Sequence, residues 1–139
     1  MINVLISADS RYQVDKNFLK QVAISALEQN RVKGKVEVSV SIVGDRAMTN
    51  LNKKYRGKGE TTDVLAFPQQ ETIPTRFLSE PKKAAGFVKP PDKVLRLGDV
   101  VISYPQAIGE AAKFSVPIEE ELAILVEHGI DHLLGIHHE

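Results

Sequence analysis

Apolar and polar side chains alternate or recur along this chain in ways that predict four strands. Residues 36–42 read Val-Glu-Val-Ser-Val-Ser-Ile, a strict alternation that is typical of a half-buried strand. Apolar runs at 2–6, 63–67 and 97–103 predict three further strands, of which the last is fully buried because its Val-Val-Ile is unbroken.

Helical spacing predicts four helices between and after these strands. Asp15 and Asp45 are the predicted N-caps of the first two. A third helix is predicted over 105–114, and the last has Pro117 near its first turn. Strands interspersed with helices predict one domain, 1–139, with an α+β fold of the α/β type in which helices pack against a four-stranded sheet.

The segment 69–96 interrupts this order. It carries four of the seven prolines and shows no period, and a loop of such length is usually functional or disordered. We expect a long, mobile and basic loop within the domain. Its basic residues are Arg76, Lys82, Lys83, Lys89, Lys93 and Arg96.

The composition limits which ligands and binding surfaces this chain can have. Formal net charge is zero, so any anion-binding surface is local, and the absence of cysteine excludes disulfides and thiolate ligands, which leaves imidazole as the expected metal donor. Residues 1–9 contain no basic leader, and no apolar run approaches the ~20 residues that span a membrane. We therefore expect a soluble, cytoplasmic protein.

All four histidines lie in the last dozen residues. His128 and His132 are four apart, which on a helix places both rings on one face. Gly135 can end the helix in a left-handed conformation, and His138 follows, so the pattern is H-x-x-x-H-x-x-G-x-x-H. Three nitrogen ligands with one open position are typical of a catalytic zinc site, and we expect one zinc ion, or another divalent metal, per chain.

The predicted last helix carries two neighbouring stripes. Its core stripe consists of Ile118, Leu122, Val126, Gly129 and Leu133. The neighbouring stripe consists of Glu121, Leu125, His128 and His132. The histidines are therefore expected at the border between core and surface, where a metal is anchored yet open to substrate.

Three blocks of the sequence resemble the YbeY family, metal-dependent endoribonucleases of ribosomal RNA maturation. The block 128–138 is similar to the family's H-G-x-x-H-L-x-G-x-x-H, residues 51–68 contain L-N-x-x-Y-R-G-K followed by T-D-V-L-A-F-P, and residues 97–103 read L-G-D-V-V-I-S. The resemblance covers most of the chain from Asp45 onward.

The resemblance implies a mixed sheet flanked by helices, a zinc site of His128, His132 and His138, and cleavage of single-stranded RNA. It further implies a role in maturing the 3′ end of small-subunit ribosomal RNA and in ribosome quality control, with the small ribosomal subunit as partner and neither membrane nor DNA. Ile136-His137 stands where the family has an aromatic residue and Asp. His137 is therefore the alternative third ligand.

The chemistry that such a site needs points to further residues. Neutral imidazoles leave zinc its full positive charge, which lowers the pKa of a bound water towards ~7. A guanidinium can stabilise the negative charge that develops on the phosphoryl oxygens in the transition state, because its parallel donors match two oxygens at once. Arg56 matches the family's arginine beside the metal and is the candidate for that role. The substrate-binding candidates beside it are Lys53, Lys54 and Lys58. Asp99 either orients a water or a ligand, or has a structural turn role.

Two other functions share the same histidine spacing. A metzincin-like metallopeptidase has it too, but those enzymes place a Glu directly after the first His as general base, and here that position is Gly129. A non-catalytic, ribosome-associated factor would use the metal only to stabilise its fold. Arg56 and the open ligand position favour an enzyme.

Overall fold

The computed structural model describes residues 1–69 and 94–136, which form one mixed sheet packed with helices. The elements are β1 (Ile2–Ala8), α1 (Lys16–Gln29), β2 (Val36–Val43), α2 (Asp45–Arg56), β3 (Val64–Pro68), β4 (Leu95–Ser103), α3 (Tyr104–Phe114) and α4 (Ile118–Leu133). The strand order is β1-β2-β4-β3, in which β1, β2 and β4 are parallel and β3 is antiparallel to β4. The predicted mixed four-stranded sheet is confirmed. Among the described residues, no helix combines the length and apolar character that crossing a bilayer requires.

Local sequence signals account for several of these elements. Asp15 accepts a hydrogen bond from the backbone N–H of Phe18 at 3.0 Å and so caps α1. In β2 the burial alternates residue by residue, with Val36, Val38, Val40 and Ile42 buried in the core. Both features were predicted and are confirmed.

The predicted ends of β1, β3 and α3 differ from the structure by one or two residues, and the predicted starts of α2 and β4 are wrong. Gly44, not Asp45, is the N-cap of α2, and Asp45 is the first helical residue. Strand β4 begins at Leu95 rather than at residue 97, because its pairing with β2 extends to Leu95, whose N–H donates to Lys35 C=O at 2.8 Å. Arg96 Nε also contacts Glu37 Oε1 at 3.1 Å across this pair of strands. The sheet thus takes the last two residues of the segment that was predicted as loop. Residues 70–93 of that segment lie outside the described part of the chain.

The hydrophobic core has a major and a minor part on opposite faces of the sheet. The major part joins α1 and α4 to the strands through side chains such as Leu19, Val40 and Ile130. The minor part lies under α2 and consists of Met48, Leu65 and Val101.

Strand β3 is an edge of the sheet, and its register decides which backbone groups face β4. Ser103 N–H donates to Asp63 C=O, and Gln69 N–H donates to Leu97 C=O, both at 2.9 Å. Antiparallel pairing alternates, so Val64, Ala66 and Pro68 direct their backbone groups away from β4. Pro68, which has no N–H, therefore stands where no ladder hydrogen bond is lost.

Candidate active site

Helix α4 lies directly on the centre of the sheet because Gly129 has no side chain. A Cβ built at Gly129 would lie 2.4 Å from Cγ1 and 2.8 Å from Cγ2 of Val100, a buried β4 residue. The glycine is thus required for close packing of α4 on β4. The same contact leaves no space for the glutamate that a metzincin has at this position.

Gly135 ends the helix as predicted, with φ of 80°. Ile136 N–H donates to Asp131 C=O at 2.8 Å, and Gly135 N–H donates to His132 C=O at 3.1 Å. This pair of bonds is the Schellman motif, which reverses the chain directly after the second histidine. His137 and His138 follow this turn and lie outside the described residues, so the third ligand stays a prediction.

His128 and His132 are exposed on α4 beside buried neighbours, at the border of core and surface that the helical period predicted. They open onto a cavity of about 650 Å³, which we call the histidine cavity. Its walls are α4, β3 and the end of α2, with Arg56 among its lining residues. Two histidines and an arginine that are remote in sequence therefore share one cavity.

The end of α2 is held in place by the loop that follows it. Gly57 adopts a left-handed conformation with φ of 73°, and Asn52, which is 2% exposed, donates from Nδ2 to the Glu60 carbonyl at 2.8 Å. Tyr55 packs edge-on against Phe67 of β3, with ring centroids 5.1 Å apart. These contacts fix the turn from which Arg56 extends towards the histidine cavity.

Asp45 ties the start of the same helix to the sheet. Its Oδ1 accepts hydrogen bonds from Ser103 at 2.8 Å, Thr61 at 3.1 Å and Gln106 at 3.2 Å. Partial burial opposes ionisation of Asp45, but the bonds from Ser103, Gln106 and Thr61 outweigh it and lower the pKa of the carboxyl. Both ends of α2 are therefore anchored.

The remaining predicted site residues lie elsewhere. Lys53, Lys54 and Lys58 are exposed near Arg56 and are not among the lining residues of the histidine cavity. Asp99 accepts a hydrogen bond from Ser39 of the neighbouring strand. Because Val100 faces α4, Asp99 faces the opposite side of the sheet, away from the histidines.

A second cavity of about 280 Å³ lies on the other side of His128, and we call it the α3–α4 cavity. Three carboxyl groups line it, from Asp63, Glu110 and Glu121. Burial, then hydrogen bonding and negative charge from Asp63, with a further contribution from Glu121, raise the pKa of Glu110 to about 7. The sequence did not identify this cluster, because its members come from three separate elements. The one signal was Glu121, on the histidine stripe of the last helix.

The donor chemistry of the histidine cavity fits a zinc ion in part. Two imidazoles one turn apart on a rigid helix are a common ligand pair, and one side of them is open to the cavity. Within residues 1–69 and 94–136, no group of three His, Cys, Asp or Glu side chains is arranged so that it could hold a metal ion. The pair therefore fits a metal only together with a further ligand from the residues that follow the turn.

Comparison with known proteins identifies relatives over the whole length. The sequence profile of the family described as Endoribonuclease YbeY matches residues 5–139. A protein named Endoribonuclease YbeY from Dehalococcoides mccartyi is 39% identical over 139 residues, which is 99% of this chain and 78% of the relative. A protein of the same name from Roseiflexus sp. is 38% identical over 126 residues, or 91% of this chain and 72% of the relative.

A solved structure shares the fold. The solution structure of a Thermotoga maritima protein superimposes with a TM-score of 0.58 at 24% identity. The match covers 98% of this chain and 75% of the other. At this identity the likeness concerns the fold alone.

Proposed function

This chain belongs to the YbeY endoribonuclease family, and we propose that it hydrolyses phosphodiester bonds of single-stranded RNA at a zinc centre. The observation that carries the proposal is the shared cavity of Arg56, His128 and His132. A cationic side chain in the same cavity as a pair of metal ligands favours cleavage of a phosphodiester, because negative charge develops on the phosphoryl oxygens as the bond breaks.

In this proposal, His128 and His132 hold the metal together with His138, or with His137 as the alternative third ligand. A zinc ion held by these residues would supply Lewis-acid chemistry, lowering the pKa of a bound water and polarising the phosphoryl group. The protein orients both imidazoles through Gly129, which presses α4 against β4. The Schellman turn at Gly135 reverses the chain as far as Ile136, the residue directly before the two candidates for the third ligand.

Arg56 binds the phosphoryl group opposite the histidines. A guanidinium presents parallel N–H donors that match two phosphate oxygens at once. Its position at the last residue of α2, on a turn fixed by Gly57 and Asn52, limits the entropy lost on binding. Lys53, Lys54 and Lys58 attract the flanking phosphates from the surface around it, and Asp99 serves the sheet rather than the substrate.

The cavity size favours a single strand. A space of about 650 Å³ lies in the range of small-ligand sites, a size that suits one unpaired nucleotide. The peptidase alternative is disfavoured because the packing of Gly129 leaves no room for a general base. We further propose that the substrate is ribosomal RNA on the small ribosomal subunit in the cytoplasm, which rests on family membership.

Metal analysis and two substrates test the proposal. Purified protein should contain about one zinc per chain, and His128→Ala and His132→Ala should lose it. Metal-loaded protein is incubated with single-stranded RNA and, in parallel, with casein. RNA should be cleaved and casein left intact. Metal retained in full by both histidine variants, or casein degraded in place of RNA, would refute the assignment.

Arg56→Ala separates phosphate binding from metal binding. Removing one group that stabilises the transition state costs about 100- to 1,000-fold in rate. We expect that loss with unchanged zinc content. Arg46→Ala is the matched control, since Arg46 is also exposed but lies at the other end of α2, and it should cleave RNA at the normal rate. Equal rates in the two variants would exclude Arg56 as the phosphate ligand.

A further inference from the structure

The α3–α4 cavity adjoins the histidine cavity and differs from it in chemistry. His128 lines both cavities and forms the wall between them. The α3–α4 cavity is mostly apolar, and Phe114 at the end of α3 lines it while its side chain remains 60% exposed. Ile124 of α4, 38% exposed, lines it as well. A large exposed ring beside a small cavity offers a stacking surface.

Charge excludes phosphate from this second cavity. Its acidic lining residues are Asp63, Glu110 and Glu121, and no lysine or arginine of the described chain lines it. A phosphate there would be repelled. A planar apolar group that carries N–H donors would instead stack on Phe114 and donate to the carboxyl oxygens.

We propose that the α3–α4 cavity binds the nucleobase of a nucleotide next to the scissile phosphate, with the base stacked on Phe114. The proposal rests on the RNA-cleaving function proposed above. A strand whose phosphate lies at His128 carries one nucleoside to each side, and each cavity receives one of them. A cavity of about 280 Å³ is at the lower end of small-molecule sites, a size that suits a single base. Stacking on aromatic rings is a usual way of binding unpaired bases.

The carboxyl groups make this base site selective. Cytosine, adenine and guanine present exocyclic amino groups that carboxylates accept, as Glu and Asp do from the cytosine amino group. Uracil has a carbonyl oxygen in place of the cytosine amino group, and the negative carboxylates would repel it. We therefore expect cleavage to favour a base with an amino group over uracil at one position beside the scissile bond, by about 5-fold or more.

Phe114→Ala tests the stacking. Metal-loaded wild type and variants are assayed on single-stranded RNAs that differ only in the nucleotides flanking one cleavage site, and kcat/KM is compared. Loss of a stacked base costs roughly 5- to 150-fold, so Phe114→Ala should fall by that factor and Phe114→Trp should retain activity. Phe18→Ala is the matched control, because Phe18 is 41% exposed on α1 and lines neither cavity, and it should stay within 2-fold of wild type.

An abasic substrate separates base binding from a structural role of Phe114. With the base removed at the favoured position, wild type and Phe114→Ala should have equal kcat/KM. Asp63→Asn should reduce the preference for cytosine over uracil. If Phe114→Ala matches Phe18→Ala on every intact RNA, or keeps its full deficit on the abasic strand, the base site is refuted while the proposed function stands. If wild type cleaves no single-stranded RNA, both proposals fail.

Discussion

Gly129→Ala is expected to destabilise the protein, although the same change in most helices stabilises it. The new Cβ would lie 2.4 Å from Cγ1 of Val100, and its distance to the Val100 Cβ itself would be 3.2 Å. Val100 is fully buried in a central strand and β-branched, so it has no other rotamer space to enter. Helix α4 must therefore move away from β4.

The magnitude follows from two opposing terms. Inserting a methyl group into a packed core costs about 1–3 kcal/mol. Replacing Gly by Ala in a helix stabilises the helix by about 1 kcal/mol, because Ala has the higher helix propensity. We expect a net loss of up to about 2 kcal/mol in the free energy of unfolding, the difference of these two terms. Because His128 and His132 move with α4, RNA cleavage should fall further, by about 100-fold for a shift near 1 Å.

Urea denaturation followed by far-ultraviolet circular dichroism measures the stability term, since the chain has no tryptophan to report on. Gly109→Ala is the control, because Gly109 is a helical residue of α3 with no atom within 4 Å of an added Cβ. It should gain about 1 kcal/mol. Val100→Ala removes the two clashing methyl groups, so Gly129→Ala should cost less in that background, with a coupling of about 1–3 kcal/mol. A stabilising Gly129→Ala without coupling to Val100 would refute the packing argument.

Two further predictions concern pH. Glu110 holds a pKa of about 7 in the folded protein against 4.5 ordinarily, so the folded state binds more protons between these values and the free energy of unfolding should fall as pH rises from about 4.5 to about 7. Glu110→Gln should remove that fall and be more stable than wild type at pH 8 but not at pH 4, and parallel denaturation profiles would contradict this. The lowered pKa of Asp45 acts oppositely: its stabilisation is present above pH 3.8 and is lost as pH falls through the folded-state value. Asp45→Asn should therefore cost about 1–3 kcal/mol at pH 7, and the difference from wild type should shrink as the pH falls below 3.8, so an undiminished difference in acid would exclude the mechanism.

Features that depend on neighbouring residues could be predicted from the sequence. Asp15 caps the helix that begins beside it, and Gly135 reverses the chain two residues after the helix ends, because both effects act within one turn. The alternation of apolar and polar residues in β2 likewise predicted which of its side chains are buried. The N-cap prediction for Asp45 was wrong because it considered only neighbouring residues. Asp is a residue type that caps helices, but Ser103 and Gln106, remote in sequence, hold the carboxylate of Asp45 instead.

The sequence could predict that the two candidate ligands share one helix face, but it could not predict what surrounds them. Spacing alone placed His128 and His132 on one face, and the resemblance singled out Arg56 before the structure brought it to the same cavity. Phe114 has no local pattern that distinguishes it from any apolar residue at a helix end. From the sequence, Gly129 indicated only that the glutamate base of a metallopeptidase is absent. Its packing against Val100 could not be predicted, because the sequence does not show which strand lies beneath α4.

The hydrogen bond from Gln69 to Leu97 has a consequence for how this chain can vary. It brings together the two ends of the connection between β3 and β4, so that the connection leaves and re-enters the sheet at one point. The entropy of closing a loop grows only with the logarithm of its length, by about 0.6 kcal/mol for each doubling. As far as the entropy of closure is concerned, the number of residues between Gln69 and Leu97 therefore has little effect on the stability with which β3 pairs with β4.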